Sequence, residues 1–228
     1  MYGFFNERPR FRTGFMVYND RLYYIIKSSV ETMNKFVKKI CSTPITIKEW
    51  GKQKLIYSNP RSGRFDLGFA TFFLNRTNVS GILNGGPIGG MQQKGKWKIN
   101  ARFNKENLAE RILQLSSYKN RISIFNKDGV ELINDYLKKK NVFIYLDPPY
   151  YEKGATLYLN HYKKKNHERL AKLLNHNTDS FWLLTYDDKK EIRFLYPERQ
   201  IISFSLYHNA YESRKGKEIL ISSDALVI

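Results

Sequence analysis

Apolar positions in this chain follow two periods in turn. Phe15–Tyr18 is a short apolar run that ends at Asn19-Asp20. From Leu22 onward, Ile25, Ile26, Met33, Phe36, Val37 and Ile40 recur at the spacing that lines one face of a helix. Arg121–Phe125 has the composition of a buried strand, and the helix predicted after it carries Val130, Ile133 and Leu137 on one side. Val142–Leu146 is a second such strand, stopped by Pro148-Pro149. Asn166 is placed to cap a helix bearing Leu170, Leu173 and Leu174. Phe181–Thr185, Gln200–Leu206 and Lys217–Ser222 read as three more strands. Continuous apolar strands separated by amphipathic helices predict an α/β fold, a sheet with helices on both faces.

Between about Thr43 and Asn104 this rhythm breaks. Gly81, Gly85, Gly86, Gly89, Gly90 and Gly95 crowd into the stretch beside Gln92 and Gln93. Such glycine density favours irregular backbone and close approach to another group, with a long ordered surface loop as the alternative. The expected organisation is an inserted subdomain, 43–104, within a main domain formed by 1–42 and 105–228.

The candidate chemistry sits directly after the second buried strand, at Asp147-Pro148-Pro149-Tyr150. In open α/β sheets ligands bind beyond the carboxyl ends of strands, so the position suits a site. Two prolines fix φ near −65°, press each preceding residue into extended backbone and donate no backbone hydrogen bond. The loop therefore offers acceptors: the Asp147 carboxylate and the Pro148 carbonyl. Two acceptors match the two hydrogens of an exocyclic amino group. Tyr150 adds a flat face on which a base stacks, an interaction worth about 1–3 kcal/mol. A strand stop made of two prolines is the structural alternative.

Charge narrows the partner. Lys and Arg number 39 against 21 Asp and Glu, a formal net charge of +18, which favours a polyanion and salt-sensitive binding. The runs Lys138–Lys140 and Lys163–Lys165 read as solvated faces. The single cysteine, Cys41, excludes an internal disulfide and fits a reducing cytoplasm. Four scattered histidines show no zinc spacing, so no metal is expected. No stretch approaches the roughly 20 apolar residues that span a bilayer, so no membrane partner is expected.

With these residues in view, the chain from about Gly14 to its end resembles the Dam-like adenine-N6 DNA methyltransferases, whose target-recognition region precedes the DPPY loop. The resemblance implies a Rossmann-like methyltransferase sheet, S-adenosylmethionine as methyl donor, double-stranded DNA as partner and an adenine flipped into the loop. Asp147, Pro148, Pro149 and Tyr150 match the catalytic loop. Asp20 matches the acid that binds the donor's ribose, with a helix N-cap as the alternative. Asp128, after Ile124–Lys127, matches the strand end beside the donor's adenine, with helix capping again open. Phe72–Thr77 resembles the entry to DNA recognition, which implies DNA contacts for Asn75 and Arg76; a structural arginine is the alternative for Arg76. Gly85–Gly90 and Gln92 resemble one branch of the family, and Arg102 is a further expected DNA contact. Thr185-Tyr186-Asp187 falls where relatives place a polar turn near the target base.

The front of the chain departs from the pattern. Relatives carry a glycine-rich donor loop, after a first strand, ahead of the acid matched by Asp20; here 19 residues precede Asp20, and Gly3 and Gly14 form no G-x-G pattern. The expectation is therefore a sheet missing its first, central strand. That leaves two readings open: an adenine methyltransferase completed by an N-terminal fragment, or a catalytically inactive DNA-binding remnant. A paired restriction endonuclease is a further partner the resemblance suggests.

Overall fold

The computed structural model describes residues 13–16, 32–125, 127–151, 162–208 and 214–226. The chain packs as two compact units. One comprises Lys127–His208 and Ser213–Ile228 with Met1–Thr13; the other comprises Gly14–Asn126 with Asn209–Glu212.

The first unit is built on a four-stranded sheet. Its strands are β3 (Phe143–Leu146), β4 (Phe181–Asp187), β5 (Gln200–His208) and β6 (Arg214–Ser222), in the order β3-β4-β6-β5. β3 and β4 run parallel, with Phe143 opposite Phe181 and Leu146 opposite Leu184. β6 runs antiparallel to both β4 and β5, so the sheet is mixed. Period-two alternation buries Trp182, Leu184 and Tyr186 of β4 with Ile219 and Ile221 of β6. That face packs against α6 (Lys164–Asn175), whose Leu170, Ala171 and Leu174 are buried. The unit's other described helices are α5 (Gly129–Leu137) and α7 (Lys190–Leu195); Asn175 Nδ2 donates to Leu195 O, tying α6 to α7.

The opposite face carries exposed apolar residues. Phe143, Tyr145, Phe181 and Ile202 are 43%, 56%, 46% and 39% exposed there. Strand composition alone could not separate the two faces, because both carry large apolar residues. The expected cap at Asn166 is also corrected. α6 begins at Lys164 with Lys163 in the capping position, so Asn166 lies inside the first turn.

In the second unit, β1 (Thr13–Met16) and β2 (Ile122–Phe125) form a two-stranded sheet. Among the described residues four α-helices accompany it: α1 (Met33–Ser42), α2 (Ile47–Ser58), α3 (Arg64–Thr77) and α4 (Lys105–Ser117). Their core is aromatic. Phe36, Phe69, Phe72, Phe73 and Phe103 are buried, and the Phe36 and Phe72 rings meet edge to face at 5.3 Å. α3 is buried nearly all round, from Gly68 to Leu74, and its polar Thr71 and Thr77 return their hydroxyls to Leu67 O and Phe73 O. A helix buried on every side shows no apolar stripe, which is why α3 was not legible in the stretch 43–104, which also holds α2. The true irregularity is the glycine-rich loop after α3, and it is ordered: Val79 N donates to Gly86 O and Ile88 N to Thr77 O.

Candidate functional site

The loop Asp147–Tyr150 leaves the carboxyl end of β3, as its sequence position requires. Pro148 and Pro149 are buried, Tyr150 is half-buried, and Asp147 is exposed. The Asp147 side chain is therefore not turned into the interior, where it could hold nothing.

Side chains of β4 and β6 fasten this loop. Thr185 Oγ1 lies 3.0 Å from Tyr145 Oη, 3.4 Å from Leu146 O and 3.3 Å from Asp147 Oδ1. A hydroxyl has one proton to give, so it serves Leu146 O and Asp147 Oδ1 in turn while Tyr145 donates to it. Tyr150 donates its phenol to Glu218 Oε1 at 2.7 Å. The Tyr151 backbone N–H donates to Asp187 Oδ1 at 2.9 Å. Asp187 and Glu218 stand directly opposite each other across β4 and β6, so two neighbouring carboxylates hold two consecutive loop residues.

Electrostatics set the character of the site. Partial burial is the main reason the Asp147 carboxyl is held above the usual carboxylate range; the Thr185 hydrogen bond opposes the rise and the Glu218 charge adds to it. Behind the loop, His167 of α6 is 1% exposed, and its Nδ1 lies 2.7 Å from Tyr186 Oη. Its ring packs against Tyr151, Tyr162 and Tyr186. Burial pushes His167 below the usual histidine range, against the nearby Asp187 charge and a hydrogen bond with the Tyr162 backbone. Burial likewise raises the Tyr186 phenol well above its ordinary value. The loop thus rests on a neutral aromatic floor.

Glu218 and His167 were not found by sequence reasoning. A signal existed for Glu218, an acid directly before the apolar run Ile219–Ile221, since acids are almost never fully buried unless paired. Its partner Tyr150 lies 68 positions away, and nothing local indicates the pairing.

The remaining expected residues fall as follows. Asp20 lies outside the described residues. Asp128 caps α5, with Oδ1 accepting from Glu131 N at 3.1 Å and lying 3.4 Å from Arg169 Nη1. In the second unit, Asn75 Nδ2 donates to Gly81 O at 3.3 Å, and Arg76 Nε donates to Arg102 O at 3.2 Å. Burial, then the charges of Arg102 and Arg111, hold the Arg76 guanidinium below its ordinary value. Asn75, Arg76 and Arg102 are thus brought together. Gln92 is exposed, and its neighbour Gln93 organises the loop instead: Nε2 donates to Ile88 O and Gly90 O while Oε1 accepts from Ile99 N. Among the described residues no group of three or more His, Cys, Asp or Glu is arranged to hold a metal ion. No described helix is long and apolar enough to cross a membrane.

A sequence model of the D12 class N6 adenine-specific DNA methyltransferases matches residues 12–210. The chain belongs to this family. It is an adenine-specific DNA methyltransferase. No curated protein matches the chain. The matched span of the methyltransferase takes in the Asp147–Tyr150 loop and the Asn75–Arg102 group, whereas Glu218, which holds Tyr150, lies beyond it.

Proposed function

We propose that this methyltransferase moves a methyl group from S-adenosylmethionine to the exocyclic amino group of an adenine flipped out of duplex DNA. The observation that carries the reading is the loop itself: Asp147 stands exposed at the end of β3 while Tyr150 is fastened through its phenol to Glu218. The Asp147 carboxylate would accept a hydrogen from the amino group and stabilise the positive charge that grows on nitrogen as it attacks. Fixing the Tyr150 ring before the base arrives lowers the entropy lost on binding. A base stacked in a duplex cannot reach such a loop, which is why flipping is part of the proposal.

The donor supplies an electrophilic methyl group on a sulfonium. Of the residues the family resemblance assigns to it, Asp128 fits chemically. Both of its contacts use Oδ1, so Oδ2 has no partner among the described residues and suits an adenine amino group. Asp20 would hold the ribose. The family's glycine-rich donor loop follows a strand that neighbours the one bearing the DPPY tetrapeptide. Here β3 is the terminal strand of its sheet among the described residues, with Phe143 and Tyr145 exposed. That edge would accept a strand carrying such a loop, whether from this polypeptide or from a complementing fragment. The region 43–104 is proposed as the target-recognition part, with Asn75, Arg76, Gln92 and Arg102 at the DNA.

The test is transfer of labelled methyl from S-adenosylmethionine to unmethylated genomic DNA, with N6-methyladenine identified after digestion. Asp147→Ala is expected to abolish the product while DNA binding stays near normal. Label in cytosine, or full activity in Asp147→Ala, would overturn the assignment. DNA binding without transfer at saturating donor would instead favour an inactive DNA-binding remnant.

A further inference from the structure

The glycine-rich loop of the second unit carries an exposed tryptophan on a rigid, basic support. Trp97 is 65% exposed and Met91 60% exposed, the two large apolar residues that the loop leaves open. The other two tryptophans differ: Trp182 is fully buried, and half-buried Trp50 donates its indole N–H to Asn78 Oδ1. Mobility does not explain the exposure, because the backbone around Trp97 is pinned. Gln93, at φ +53°, bonds to Ile88 O, Gly90 O and Ile99 N, and Gly95 N donates to Gly89 O at 3.2 Å. Gly89 sits at φ +84°, and a Cβ there would come within 2.6 Å of Trp97 O; only glycine allows so close an approach.

The stretch of chain that bears this ring carries charge of one sign. No acid occurs between Asp66 and Glu106, while Arg76, Lys94, Lys96, Lys98, Arg102 and Lys105 all fall there. Lys94, Lys96 and Lys98 are exposed and lie within three positions of Trp97 in the chain, with Lys96 Nζ 5.7 Å from its ring centroid and Lys98 Nζ donating to Gln93 O at 2.6 Å. A pinned aromatic face amid lysines matches the two parts of a nucleic acid, π-faced bases and a phosphate chain. A protein partner that buried the tryptophan would also need acids for these lysines.

We infer that Trp97 is a stacking residue of this loop, set against a base that becomes unstacked in the bound DNA, while Lys94 and Lys96 neutralise adjacent phosphates. The inference rests on DNA being the substrate and assigns Trp97, which no expected contact included, as the ring that engages it. Preorganisation by Gln93 and the glycines keeps the ordering entropy of this contact small.

The full chain is titrated with a random-sequence duplex oligonucleotide at low salt. Tryptophan emission is followed, and gel mobility reports binding separately. Emission is expected to fall as the duplex saturates, and Trp97→Phe to remove most of the change. Trp97→Ala is expected to weaken binding about tenfold at an unchanged melting temperature. Lys94→Gln with Lys96→Gln is expected to reduce the slope of log affinity against log salt by about 2. A shifted duplex with unaltered emission and undiminished affinity in Trp97→Ala overturns the inference and leaves DNA as substrate. No shift at low salt overturns the inference and DNA binding together.

Discussion

At Asp147 stability and the proposed activity pull in opposite directions. The folded chain holds this carboxyl's proton more tightly than the unfolded chain, chiefly because of partial burial. Its stabilising contribution is therefore fully present below the unfolded value, about 3.9, and lost as pH rises through the raised folded value. At neutral pH the ionised group costs the fold stability, and in the proposed reaction it is the form that would accept the amino hydrogen. Asp147→Asn is expected to melt above wild type at pH 7, with the gap closing as pH falls below about 4, and to lose methyl transfer at every pH. Wild-type transfer should fall on the acid side with a midpoint above about 3.9. Differential scanning fluorimetry and a pH–rate series measure the two halves.

Tyr150 gives a second residue-scale prediction. Its bond to the buried Glu218 carboxylate is of the charge-assisted kind, worth about 1.5–3 kcal/mol on removal. Tyr150→Phe should lower stability by that order in urea denaturation and weaken capture of the target base. Glu218→Gln, whose amide oxygen still accepts, should be milder than Glu218→Ala. In a double-mutant cycle Glu218→Ala should add little to Tyr150→Phe. Fully additive effects would mean that the two side chains act separately.

Among elements, α3 governs the second unit because its aromatic side chains reach both its neighbours and the glycine-rich loop. Phe73 is fully buried and its ring centroid lies 5.4 Å from that of Phe103, so Phe73→Ala should cost about 3–5 kcal/mol in denaturant unfolding. The loop after α3 is sensitive for a different reason. Gly89→Ala adds a methyl against backbone at a positive φ, so Trp97 and its lysines should lose their fixed arrangement. Weaker duplex binding in a mobility shift, with helix content unchanged by circular dichroism, is the expected outcome. At α5, Asp128→Ala should cost about 1 kcal/mol through the lost cap, while Asp128→Asn should be nearly neutral in the same denaturation.

For the whole molecule, the net charge of +18 predicts that duplex affinity falls steeply between 50 and 200 mM salt. Sequence by itself determined the strands, most of the helices of the first unit, the position of the Asp147–Tyr150 loop after its strand and the basic character. Each of these is written in neighbouring residues: alternation within a strand, a helical stripe, two prolines after an acid, an excess of Lys and Arg. It missed α3, whose burial on all sides erases any stripe, and it missed that one face of the four-stranded sheet keeps Phe143, Tyr145 and Phe181 exposed. Tertiary structure alone decided that Thr185, Asp187 and Glu218 would hold the loop, that His167 would lie neutral behind it, and that Gln93 rather than Gln92 would order the glycine-rich segment. Most of these depend on strand register and on contacts between residues tens of positions apart. Side-chain alternation follows from the chain's own geometry, whereas which residues stand opposite across β4 and β6 is settled only when the strands pair.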